Sequence, residues 1–191
     1  MFRRRTGGLS FRQKKKLITP SLIREILSWA LYSVIAVFIA FVLVLAFGMR
    51  VSVIGGSMEP TLPGGSSVLV DRLVYKLAGP GAGDVVVFFP NGNERSHYYI
   101  KRVVAVPGDS VRIKDGVLYV NDVPSAIQTK KINDAGLAES KIVLSDSEYF
   151  VLGDSPENGE DSRSANLGPV EKDLIVGKAW FSLGDESGWI R

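Results

Sequence analysis

Residues 98–120 read Tyr98-Tyr99-Ile100-Lys101-Arg102-Val103-Val104-Ala105-Val106-Pro107-Gly108-Asp109-Ser110-Val111-Arg112-Ile113-Lys114-Asp115-Gly116-Val117-Leu118-Tyr119-Val120. Three β-branched or aromatic runs are cut here by two turn signals. Pro107-Gly108-Asp109 is one; Asp115-Gly116, between two alternating runs, is the mark of a tight hairpin. Working outward, similar short runs occur at Ser67–Val70, Val85–Phe89, Tyr149–Leu152 and Ile175–Phe181, again punctuated by glycine and proline. Regularly spaced strands with turn signals predict a mostly β, mostly antiparallel domain. Val74–Ala78 reads as a short helical or irregular piece, and residues 125–148 as a polar loop or small insertion.

The N-terminal quarter is different. Residues 1–24 carry eight Lys/Arg and no acid, whereas the other 167 carry 15 Lys/Arg and 20 Asp/Glu. Ile26–Met49 then runs for 24 residues without a charge. As a helix at about 1.5 Å per residue it would reach roughly 36 Å, enough to span a bilayer with some tilt. A cleaved leader has a shorter apolar core and a small-residue cut site, which FGMRVSVIGG does not offer. The expected organisation is a basic cytoplasmic tail (1–25), a transmembrane anchor (26–49) and an extracytoplasmic β-rich domain (50–191). The basic flank before the span puts the N-terminus in the cytoplasm and the domain outside the plasma membrane. Because the basic residues sit in a tail beside an apolar run, the pI of about 9.1 does not argue for nucleic acid. One histidine, no cysteine and no carboxylates at ligand spacing give no metal site, and no cofactor is expected.

Lys101 is the residue that asks for chemistry. On an apolar strand, alternation groups it with Val103 and Ala105 on one face and Arg102 with Ile100 and Val104 on the other. A lysine turned inward with no carboxylate partner lowers its cost by losing its proton. To act as a base near neutral pH its pKa must fall from about 10.4 by roughly 2–3 units, within the range of buried lysines. Snorkelling to the sheet edge is the alternative, and the strand alone does not choose. A neutral amine can deprotonate a serine, and Val53-Ile54-Gly55-Gly56-Ser57-Met58-Glu59-Pro60-Thr61-Leu62 offers one between glycines and a proline. The sole histidine, His97, lies in a polar connector and reads as a solvated loop residue rather than the base of a Ser-His-Asp set.

With both halves in view the chain resembles the type I signal peptidases (bacterial leader peptidases, Ser-Lys membrane proteases), in their short Gram-positive-like form. Four boxes carry the likeness in order: Gly56–Leu62, Gly83–Phe88, Tyr99–Asp109, and Gly153-Asp154 with Asp161-Ser162-Arg163. The resemblance implies a signal-peptidase-type β-rich catalytic domain on one transmembrane helix, removing signal peptides from secreted preproteins at the bilayer surface. It implies Ser57 as nucleophile and Lys101 as general base. The main-chain N–H of Ser57 would serve the oxyanion hole, with Gly55 as a second candidate. Val53, Met58 and Ile100 would line pockets for small side chains. Arg102 with Asp154, and Asp161 with Arg163, would hold the site loops, and Ser162 could help orient the lysine. Two positions depart from the pattern: Gly55 and Gly159 stand where many relatives have serine. The alternatives are a dedicated Ser-Lys processing peptidase for one secreted or pilus-like substrate, and a non-catalytic membrane-anchored relative.

Overall fold

A computed structural model describes residues 19–93, 95–128, 130–157, 160–184 and 187–190. The chain forms two compact units, one ending at Phe41 and one beginning at Val42. The first is carried by a helix, α1 (Pro20–Phe47), whose Pro20–Val44 stretch has mean hydropathy 2.5 and is long and apolar enough to cross a membrane. It starts six residues before the expected span, because Ser21–Glu25 continue the helical turn. It ends at Phe47, and Met49, expected in the anchor, already belongs to a strand. The basic residues up to Lys16 lie outside the described residues.

The second unit holds strands β1 (Met49–Ser52), β2 (Ser67–Asp71), β3 (Val85–Phe88), β4 (Tyr99–Ala105), β5 (Ser110–Lys114), β6 (Val117–Val120), β7 (Val123–Pro124), β8 (Ile142–Val143), β9 (Glu148–Leu152), β10 (Val170–Glu171), β11 (Ile175–Leu183) and β12 (Gly188–Trp189). A helical turn, α2, covers Val74–Leu77. The large sheet runs β1-β2-β11-β3-β4-β9-β10, with β12 added beside β11; the small one runs β7-β6-β5-β8. Every pairing is antiparallel. All seven expected strands are present, and the Asp115-Gly116 turn has both residues at positive φ, as such a hairpin demands.

Strand β3 explains the placement of the core. Its four residues are all buried: Val85 and Val87 enter one apolar cluster with Val51, Met58, Leu62 and Ile100, while Val86 and Phe88 enter another with Val103 and Val151. A strand covered on both faces reads as a continuous apolar run, as Val-Val-Val-Phe does. A third cluster lies against the small sheet, joining Val111, Ile113 and Leu118 to Phe150 and Leu152. Ile132, Ala138 and Leu144 are buried in it, so the loop or small insertion expected over residues 125–148, though mostly exposed, is fastened to the core at these points.

One correction concerns β4. The register against β9 slips between Val103 and Ala105, leaving Val104 as an extra residue. Lys101 and Val103 do share a face, with Lys101 directly opposite Val86 on β3. Ala105, however, joins Val104 in the third cluster. A bulge breaks the period of two, so the alternation cannot be carried through it.

Candidate active site

Strand β4 pairs with β3 from Tyr99 to Arg102, but with β9 only from Arg102 onward. The segment Tyr99–Lys101 therefore has no strand on its far side. Two loops border this gap, residues 53–66 after β1 and residues 153–164 after β9.

The first loop is closed at its base. Val53 donates to the Ser66 carbonyl at 2.9 Å, and Gly65 donates to the Val53 carbonyl at 2.9 Å. Met58 and Leu62 are buried and pin its interior to the core, with Leu62 N–H bonded to the Met58 carbonyl. Gly55 has φ of +76°, a conformation that disfavours any residue with a Cβ. The glycine found where relatives carry serine thus suits the backbone here. Between these fixed points Ser57 is half-buried and opens to a cleft.

The second loop holds the first by its main chain. Ser155 N–H donates to the Ser57 carbonyl at 2.9 Å. Gly153 lies so near that a Cβ there would fall inside contact distance of the Ser57 carbonyl oxygen. Asp154 then ties loop to strand: Arg102 donates to it from Nε at 2.7 Å and from Nη2 at 2.6 Å, and Thr61 adds its hydroxyl at 2.5 Å. Arg163 clamps the other end, giving Nε and Nη2 to Asp161 at 2.8 and 2.9 Å, Nη1 to the Asp134 carbonyl and Nη2 to that of Pro156. The structure thus contains both ion pairs inferred from the resemblance. Ser162 is fully buried and accepts the Val151 N–H at 3.0 Å; it makes no hydrogen bond to Lys101. Gly159 lies outside the described residues.

The cleft has a volume of about 620 Å³ and brings together Ser57, Lys101, Gly55, Val53, Met58 and Ile100. Lys101 is 4% exposed, and among the described residues its amine has neither a hydrogen bond nor an ion pair. Burial pushes its pKa below the ordinary lysine value; the Asp161 carboxylate opposes this, the Arg163 guanidinium adds to it, and Glu160 opposes it again. The hydroxyl of Ser57 also has no hydrogen-bond partner among the described residues, so serine and lysine share a wall without bonding directly. Substrate-free sites often hold such pairs apart. The Ser57 main-chain N–H likewise lacks an acceptor among the described residues.

Sequence reading gave no role to several residues on the same wall, among them Ile54, Tyr98, Tyr99, Glu157 and Glu160. The two glutamates lie between Asp154 and Asp161 of the last box, where only the fold shows which way they turn. His97 is exposed at the same cleft. Trp180 is not among the lining residues; it packs against Phe181 and Trp189, with ring centroids 5.7 and 5.3 Å away.

Comparison with known proteins shows the family. The family model for signal peptidase, peptidase S26, matches residues 26–183. Signal peptidase IB of Staphylococcus aureus (strain COL) is 34% identical over 181 residues, covering 83% of this chain and 89% of the relative. A signal peptidase I of Bacillus licheniformis is 30% identical over 174 residues, covering 82% and 88%. A crystal structure of a signal peptidase I from Enterococcus faecalis V583 is 24% identical, covers 52% of this chain and 95% of its own, and gives a TM-score of 0.41. With a match that takes in the apolar helix and nearly all of the β-rich unit, the chain belongs to the signal peptidase family, peptidase S26.

Proposed function

We propose that this chain is a membrane-anchored serine endopeptidase that removes N-terminal signal peptides from exported preproteins, cutting after small residues. Ser57 is the nucleophile and Lys101 the general base. The observation that carries the reading is Lys101 itself: a residue 4% exposed, its amine without a partner among the described residues, on the wall of the cleft that holds Ser57. A structural lysine would be expected to reach water or a carboxylate. A lysine whose pKa is pulled down by burial gives up its proton more readily than an exposed one, and the neutral amine so formed can take the proton of a serine.

The steps follow from the groups present. Lys101 Nζ removes the Ser57 hydroxyl proton as Oγ attacks the scissile carbonyl carbon, and the negative charge collects on the carbonyl oxygen. The Ser57 main-chain N–H donates to that oxygen, with the turn at Gly55 shaping the approach. The Lys101 ammonium then protonates the leaving amine, releasing the mature protein and leaving the signal peptide esterified to Ser57. Water attacks the ester, Lys101 again takes the proton, and the serine is restored. Val53, Met58 and Ile100 line the cleft, and the resemblance to the family assigns them to pockets for small side chains.

The apolar helix, Pro20–Phe47, is the anchor and the β-rich unit that follows it the peptidase domain, with the basic tail cytoplasmic and the domain outside. The apolar helix supports this by its length and composition. It would hold the domain at the bilayer, where the apolar segment of a signal peptide also lies.

The test is cleavage of a purified preprotein in liposomes by wild type, Ser57→Ala, Lys101→Ala and Lys101→Arg, with His97→Ala as control. Cleavage after a small residue should disappear in the first three variants and persist in the fourth. An active Lys101→Arg enzyme rejects Lys101 as the base, since arginine stays charged. A wild type inert on several unrelated preproteins favours a dedicated peptidase.

A further inference from the structure

The last box contains a carboxylate beyond those that carry the resemblance. Glu160 stands immediately before Asp161. It is half-buried on the cleft wall, and both of its oxygens are occupied: Tyr99 donates its hydroxyl to Oε2 at 3.1 Å and Ser164 donates to Oε1 at 3.2 Å. Two hydroxyls thus fix a side chain that would otherwise be free to turn to water.

Tyr99 is also two residues from Lys101 on β4, before the bulge, so the two side chains rise from the same face. Glu160 and Lys101 line the same cleft, and the Glu160 carboxylate acts on the Lys101 amine to favour its charged form. Asp161 acts in the same direction and more strongly, but its carboxylate is bound bidentately by Arg163, whose own charge acts on Lys101 the opposite way. Arg102 points to the other face of β4, into its pair with Asp154. Glu157 is exposed and takes Asn133 Nδ2 at 2.9 Å, and His97 is exposed at the rim.

We propose that Glu160 is a positioning residue of this reaction: its carboxylate, fixed between the hydroxyls of Tyr99 and Ser164, stabilises the ammonium formed when Lys101 takes the proton of Ser57. The inference rests on the reading of Ser57 and Lys101 given above. In the reacting step Lys101 gains one proton and one positive charge while Glu160 keeps its negative charge throughout. The role parallels that of the acid in a Ser-His-Asp set, which stays ionised and stabilises the protonated base. Gly159, with no side chain, cannot supply the hydroxyl that relatives place one residue earlier.

The distinguishing property is a pH signature. Removing the charge of Glu160 leaves the Lys101 amine easier to deprotonate and its ammonium less stable. The acid limb of kcat/KM in Glu160→Gln should therefore move to lower pH by about half a unit to one unit, as a unit charge in the same partly wet cleft would move it. At the same time the plateau should fall several-fold, because the base is weaker. Ser164→Ala, which frees one oxygen of the carboxylate, should shift the limb the same way by less, and His97→Ala should not move it. A merely structural role would lower the plateau and leave the limb in place.

The experiment is the pH–rate profile of the full-length enzyme in liposomes, between pH 5 and 10, for wild type and these variants. A limb unmoved in both Glu160→Gln and Ser164→Ala, in an enzyme that still needs Lys101, overturns the proposal alone. A Lys101→Ala enzyme that remains active removes the reading beneath it as well.

Discussion

Asp154 gives the sharpest test of how the site is held. Replacing it by asparagine keeps the shape but removes the carboxylate that balances the Arg102 guanidinium. The two side chains are 11% and 14% exposed, so water replaces little of what is lost. Three short hydrogen bonds converge on this one carboxylate, two from Arg102 and one from Thr61. Removing one partner of a buried pair costs about 3–5 kcal/mol, and the residual exposure argues for about 3 kcal/mol here. At about 2–4 °C per kcal/mol for a domain of this size, Tm should fall by roughly 6–12 °C. The assay is thermal unfolding by circular dichroism in detergent for wild type, Asp154→Asn, Arg102→Met and the double variant. The double variant should be more stable than the sum of the single losses predicts, because the two losses share one interaction. Well below Tm, Asp154→Asn should also lose turnover, since its bond to Thr61 ties the nucleophile loop to β4. A Tm change under about 2 °C, or strictly additive losses, would refute the argument that this pair is the main fastening of the loop.

Three other outcomes follow from the same geometry. Lys101→Met should raise stability at neutral pH while abolishing cleavage. The folded-state pKa lies below the unfolded value of about 10.4, so between the two the unfolded chain holds more protons and wild-type stability rises with pH; the advantage of the variant should shrink across that window and vanish above it. Gly153→Ala drives a methyl into the Ser57 carbonyl and should cut kcat by at least about 100-fold, as misplacement of a reacting group by an ångström does; wild-type turnover would refute that close approach. Gly55→Ala meets no atom within 4 Å but must adopt φ of +76°, and should lose about 1–2 kcal/mol in chemical denaturation; no loss would show that the loop relaxes freely.

Much of this molecule can be read from its residues because the informative signals are local. The β5–β6 hairpin announces itself by a period of two and an Asp-Gly turn, and Lys101 by a charge in an apolar run. The strands β7, β8, β10 and β12 escape notice because each has two residues, too few for alternation to register. The bulge at Val104 has no glycine to mark it, and it reverses the facing of Ala105. Residues 125–148 read as polar because their buried members, Ile132, Ala138 and Leu144, are widely spaced and face a sheet formed elsewhere in the chain. Glu160 is the instructive omission. Nothing in its sequence neighbourhood is apolar or periodic, and its place beside the lysine depends on Tyr99, 61 residues earlier.

The fold grips Ser57 by its carbonyl, through Ser155 and the close approach of Gly153, and leaves its hydroxyl unused. Lys101, conversely, is a burden on the folded state. Mutational drift would therefore act unevenly on this protein. A lineage relieved of the need to cut would lose the hydroxyl without penalty and the lysine with a gain in stability, and would keep a sound fold with an empty groove. Where both residues persist in a lineage, stability does not account for it, because the fold is indifferent to the hydroxyl and opposes the lysine.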